Sequence, residues 1–189
     1  MRDDDPVFIH IPKTGGSYLR RTLEKSGVRF ISAAHKGASV LTTNHPRFGD
    51  INFHGRFSFA CVRNPYERFL SACRFGRHIG NYPVDFERKS VDLILGLEGR
   101  RGSDRRPHFQ TQKSMVVDSD GEIIVKYIGR YEQFNEFIQG LAEHGLDVTS
   151  LYEFKQHKSV DWESTLTEAT KENIRELYEE DFTLFGYDF

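Results

Sequence analysis

Apolar positions gather in short blocks separated by polar, glycine-bearing turns. Val7, Phe8, Ile9 and Ile11 suit a buried strand, and the stretch from Ser17 ("SYLRRTLEKSG") has the spacing of a short helix with Gly27 just past its end. Phe57 to Val62 repeat the strand pattern. Asn64 then stands as a helix cap, with Pro65 at the first helical position, Glu67 at capping-box spacing, Phe69, Leu70 and Cys73 as the inward stripe and Gly76 at the end. Phe30 to Ser32 predict a further short strand and Asp85 to Leu97 a helix. Met115 to Gly129 predict two strands about an Asp120-Gly121 turn. Tyr131, Phe134, Phe137, Ile138 and Leu141 form a helical stripe ending near Gly145. Ile174, Leu177 and Tyr178 form another, opened by Thr165 and Glu168 at capping-box spacing. Strands alternating with helices predict an α/β fold: a P-loop-like, three-layer single domain over residues 1–189, with a mainly parallel sheet flanked by helices. Ligands of such sheets bind beyond the carboxyl ends of the strands.

Two stretches place phosphate chemistry at that edge. In "FIHIPKTGGSY", Pro12 ends the strand because it has no N–H to give, and Gly15 and Gly16 allow backbone angles and close approaches closed to other residues. A strand, a glycine turn and a helix N-terminus together present free N–H groups and partial positive charge, which suits an anion. A tight turn alone would account for the glycines; Lys13, Thr14 and Ser17 add a cation and two hydroxyls to it. The usual nucleotide loop carries its lysine after the last glycine. Here Lys13 precedes the glycines and no apolar strand ends in a magnesium-binding aspartate, so a nucleotide whose reactive end carries no metal fits better than ATP or GTP.

In "FSFACVRNPYERFLSACRFG", Arg63 stands at a strand's carboxyl end beside a second helix N-terminus. Ser71, two turns beyond Asn64, returns to the same side of the helix. A guanidinium fork with a hydroxyl suits a second phosphate. Pairing of Arg63 with Glu67 is the plainer alternative.

Composition narrows the class. The chain has 189 residues, enough for a real core, with 38% hydrophobic residues including 16 Phe and 8 Tyr, as in a globular protein. A net charge of −2 gives no general argument for nucleic acid. No apolar window reaches about 18 residues, and the acidic "MRDDD" lacks a signal-peptide pattern, so a cytoplasmic protein without a membrane span is expected. Cys61, in a strand, and Cys73, in the following helix, are expected as buried thiols rather than a disulfide. No cysteine–histidine spacing suggests a metal site.

"IHIPKTGGS" followed by "FACVRNPYERFLS" resembles the sulfotransferases that use 3′-phosphoadenosine-5′-phosphosulfate (PAPS). The likeness is to the carbohydrate type (family 2), related to heparan and chondroitin sulfotransferases and their small bacterial relatives. Weaker likeness continues through "HFQTQ", "YIGRYEQF", "HKS" and "YEEDFTLFGYD". The resemblance implies that Lys13, Thr14, Gly15, Gly16 and Ser17 hold the 5′-phosphosulfate and that Arg63 and Ser71 hold the 3′-phosphate. It implies sulfuryl transfer to an acceptor hydroxyl, of a sugar in most relatives, with no metal.

In that reaction Lys13 and the loop amides meet the charge developing on the leaving oxygen, and a histidine removes the acceptor's proton. His10 lies within the first strand and is expected as a packed core residue. His35 occupies a place between the two motifs that resembles that of the family's catalytic histidine; by residue type alone it is no better than its neighbours. His108 is the next candidate, as base or, with Gln112, as an acceptor contact. His157 and Lys158 are candidates to touch donor or transferring group. Arg100, Arg101, Arg105 and Arg106 form the one basic cluster, either plain surface or a means of gathering an acidic acceptor, with Arg105 and Arg106 as acceptor contacts. Two rival classes remain at this level: a small-molecule kinase, which needs magnesium and ATP, and a nucleotide-binding module that dispenses with the base.

Overall fold

The computed structural model describes residues 4–34, 55–78, 108–148 and 161–189. These fall into two compact units, one drawn from Met1–Arg63 and Gln112–Lys155, the other from Asn64–Thr111 and Gln156–Phe189. The expected helix over 85–97 lies outside the described residues.

The first unit carries an all-parallel sheet of four strands in the order β2-β1-β3-β4: β1 (Val7–His10), β2 (Ile31–Ala34), β3 (Ser58–Val62) and β4 (Tyr127–Arg130). The register sets His10 against Ala34 and Val62 against Arg130, so β1 and β2 end level, as do β3 and β4. Every residue of β1 and β3 is buried, as expected of central strands in a parallel sheet. Alternation divides them between two faces. Phe8, Phe59 and Cys61 point to one side, where they pack with Leu19 and Leu23 of α1 (Gly16–Lys25) and with Phe134, Phe137, Ile138 and Leu141 downstream. Phe8 stacks on Phe59 with ring centroids 5.2 Å apart.

Segment 113–130 departs from the predicted hairpin. Lys113–Val116 form a short helix, α2, and the two arms join only through the single antiparallel bridge Val117–Ile123. Asp118 explains the early stop: its carboxylate accepts the N–H groups of Asp120 and Glu122, both at 3.0 Å, closing the turn locally. The chain then joins the sheet as β4, parallel to β3. A 3-10 turn, Tyr131–Gln133, leads into α3 (Phe134–Glu143), and Gly145, at φ +83, follows its end.

The second unit is built around α4 (Pro65–His78), which runs through Gly76 rather than stopping there, together with α5 (Trp162–Thr165) and α6 (Glu168–Phe185). Asn64 caps α4, its side-chain oxygen accepting from Tyr66 N at 3.0 Å and Glu67 N at 3.4 Å. α6 opens two residues beyond the predicted cap, Thr165. Asp161 caps α5, and the Thr165 hydroxyl bonds to the Asp161 carbonyl, so Thr167 takes over, accepting from Thr170 N. Tyr66, Phe69, Leu70 and Cys73 of α4 pack with Leu166, Ile174, Tyr178 and Phe182. Arg68 is buried among them. Its guanidinium donates to the carbonyls of His108 (3.2 Å) and Gln110, and the Tyr178 hydroxyl donates to the Phe109 carbonyl at 2.8 Å, so three successive carbonyls are tied down. Among the described residues no helix is long and apolar enough to cross a membrane. Both cysteines are buried, and neither is in a disulfide.

Candidate functional site

β1 ends at His10, and residues 11–15 turn into α1. Thr14 shapes the turn. Its buried hydroxyl donates to the Ile11 carbonyl at 2.9 Å, closing a three-residue loop. Lys13 adopts φ +72, unusual for a residue with a side chain, and Gly15 follows at φ +82 as the helix cap, with no side chain capping α1. Gly16 is required for a different reason. A Cβ there would run into the ring of His10, which is buried and stacked on Phe8 at 5.5 Å. His10 is thus the packed core residue expected from its place in the strand.

The first hydrogen bonds of the helix are Tyr18 N and Leu19 N to the Gly15 carbonyl, at 3.0 and 3.1 Å. Among the described residues, the N–H groups of Gly16 and Ser17 ahead of them meet no backbone acceptor. Donors left over at a helix start, with an exposed Ser17 hydroxyl, are what an oxyanion takes up.

Arg63, buried at 7% exposure, follows the last registered pair of β3 and β4. Its guanidinium lies 4.2 Å over the Tyr131 ring and donates to the Lys13 carbonyl at 3.3 Å. The arginine of the second motif is therefore brought to the glycine loop of the first. Electrostatics agree: burial first, and the Arg63 charge second, lower the Lys13 pKa from 10.5 to about 8. A cation brought beside a half-buried ammonium at one turn favours an anionic ligand there. The donor set fits an oxyanion such as a phosphate or sulfate group: oriented N–H groups, an ammonium and a guanidinium.

Gln112 has a different setting from the acceptor contact expected. Its side chain is fully buried, its carbonyl oxygen accepting from Arg63 N at 2.9 Å and its amide donating to the Arg63 carbonyl at 2.8 Å. Both ends of the amide are engaged by one backbone position. Tyr131, read in the sequence only as part of an apolar stripe, stands beside the loop as well as under Arg63: a Cβ on Gly15 would come within 3.1 Å of its ring.

The other candidates are placed as follows. Ser71 is half-buried on α4, in the second unit. His108, in that unit too, is half-buried with its ring edge-on to Phe75 at 5.0 Å. His35 is the residue after β2; it lies outside the described residues, as do Arg100, Arg101, Arg105, Arg106, His157 and Lys158.

A search of curated proteins finds no match to the chain. The family model described as "Sulfotransferase family" matches residues 2–188. A match of that extent takes in both phosphate motifs and nearly everything after them, and the chain belongs to the sulfotransferase family.

Proposed function

We propose that this sulfotransferase moves the sulfuryl group of PAPS to an acceptor hydroxyl on a carbohydrate. The observation that carries the reading is the meeting of Arg63 with the Lys13–Ser17 loop, which brings a guanidinium to a turn that already carries a lysine and open helix-start amides. PAPS, when bound, supplies an activated sulfuryl group and a bisphosphate leaving group. The amides of Gly16 and Ser17 and the ammonium of Lys13 hold the 5′ end and stabilise the negative charge that grows on the leaving oxygen. Arg63 takes the 3′-phosphate, and Ser71 keeps the hydroxyl role that the family resemblance gives it. His35 removes the acceptor's proton as the sulfur–oxygen bond forms. The resemblance supports that assignment, and His108 is next in line.

Transfer of labelled sulfate from PAPS to a panel of neutral and acidic sugars tests the reading. His35→Ala is expected to leave nucleotide affinity nearly intact and to lower kcat about 10²–10⁴-fold, the range for losing a general base. Near-normal turnover in that variant would move the base elsewhere. A wild-type enzyme that instead phosphorylates the acceptor from ATP and magnesium would replace the reading with a kinase.

A further inference from the structure

We propose that Gln112 and Tyr131 are positioning residues that hold Arg63 in place before any ligand arrives, Gln112 through its backbone and Tyr131 through its guanidinium. The inference rests on the reading that Arg63 receives a 3′-phosphate, and deepens it.

Arg63 sits where such support is needed. The ladder between β3 and β4 ends at the pair Val62–Arg130, and α4 begins at Pro65, so Arg63 lies in the short joint between strand and helix. A buried backbone N–H and C=O beyond the last rung need partners. The primary amide of Gln112 presents an N–H and a carbonyl oxygen side by side, as a neighbouring strand would offer, and it meets both groups at 2.8–2.9 Å from 49 residues away in the chain. The sheet's hydrogen bonding is in effect extended by one residue, and the direction in which Arg63 leaves the backbone is set.

The side chain is held separately. A free arginine samples many rotamers, and ordering it on binding opposes affinity. Here the guanidinium already lies over the Tyr131 ring and is tied to the Lys13 carbonyl. The tyrosine ring is itself fixed, being 5% exposed and packed edge-on against Phe134 at 6.0 Å. A satisfied strand end would explain the Gln112 bonds as plain stability, and a core aromatic would explain Tyr131. Neither explanation predicts an effect confined to one phosphate of the ligand.

The test is the ratio of two affinities, for adenosine 3′,5′-bisphosphate and adenosine 5′-monophosphate, measured by calorimetry on the full chain. The ratio isolates the 3′-phosphate, because the loop that holds the 5′-phosphate serves both ligands. Arg63→Ala calibrates the scale and is expected to reduce the preference for the bisphosphate by about 30-fold or more. Gln112→Met, similar in volume but unable to make either bond, is expected to reduce it about five- to tenfold. Tyr131→Leu is expected to reduce it about three- to tenfold, and Tyr131→Phe, which keeps the ring face, to stay within about twofold of wild type. Should Gln112→Met not fold, the Tyr131 pair still decides whether Arg63 is held. Lower melting temperatures with an unchanged ratio, in variants where Arg63→Ala does collapse it, would overturn the positioning role and leave the 3′-phosphate reading standing. An unchanged ratio in Arg63→Ala itself would remove that reading and the proposal with it.

Discussion

Lys13 is half-buried and feels the charge of Arg63; burial first and that charge second loosen its proton, bringing its pKa down to about 8. The sign of two effects follows. Without ligand, the folded chain binds this proton more weakly than the unfolded chain does. Lys13 therefore opposes folding below about pH 8, and that opposition fades between pH 8 and 10.5. With an anionic nucleotide bound, the charged form is favoured again, so binding takes up a proton above pH 8 and affinity for adenosine 3′,5′-bisphosphate falls as pH rises through that value. Calorimetry in buffers of different ionisation enthalpy reads the uptake directly. Lys13→Arg, which stays charged throughout, is expected to abolish it. At the next position of interest, Gly16→Ala drives a methyl group into the His10 ring and is expected to cost about 1–3 kcal/mol, with loss of nucleotide binding. His10→Ala in the same chain removes the obstacle, so the double variant is expected to be more stable than the sum of the two single changes. Additive losses in denaturant titrations would show that the ring is not what Gly16 makes room for.

Among the elements, the helix starts show what pattern reading can and cannot reach. Asn64 and Pro65 announced α4 because capping is local chemistry, decided within four residues. Asn64→Ala is expected to cost about 1 kcal/mol and lower the melting temperature by roughly 2–4 °C, while Asn64→Ser recovers most of it. A loss no larger than at an exposed mid-helix position would mean the cap contributes little. The α6 start was misplaced because Thr165 and Thr167 both suit a cap, and only the claim of Asp161 on Thr165 decides between them. The Asp120-Gly121 turn signal predicts two strands over 115–129. That pattern does not reveal that the Asp118 side chain occupies the turn's N–H groups, nor that β3 offers the later residues a parallel edge. The glycine loop and Arg63 were legible because phosphate chemistry leaves marks in residue type and order. The Gln112–Arg63 and Tyr131–Arg63 contacts left none, since each joins segments far apart through residues that have ordinary reasons to be buried.

At the scale of the whole chain, a family match over residues 2–188 states the chemistry, sulfuryl transfer, which needs a sulfate donor. We propose that this donor is a 3′-phosphoadenosine nucleotide bound without a metal. The most direct measurement is the melting temperature of the full chain with adenosine 3′,5′-bisphosphate, set beside ATP with magnesium at equal concentration. Ligand at about 100 times its Kd adds roughly 2.7 kcal/mol to the folded state, a rise of about 5–10 °C for a chain of this size. The account predicts a rise of that order with the bisphosphate, unaffected by chelating divalent ions and much reduced in Lys13→Ala, and little change with ATP and magnesium. A larger rise with ATP and magnesium than with the bisphosphate would contradict it.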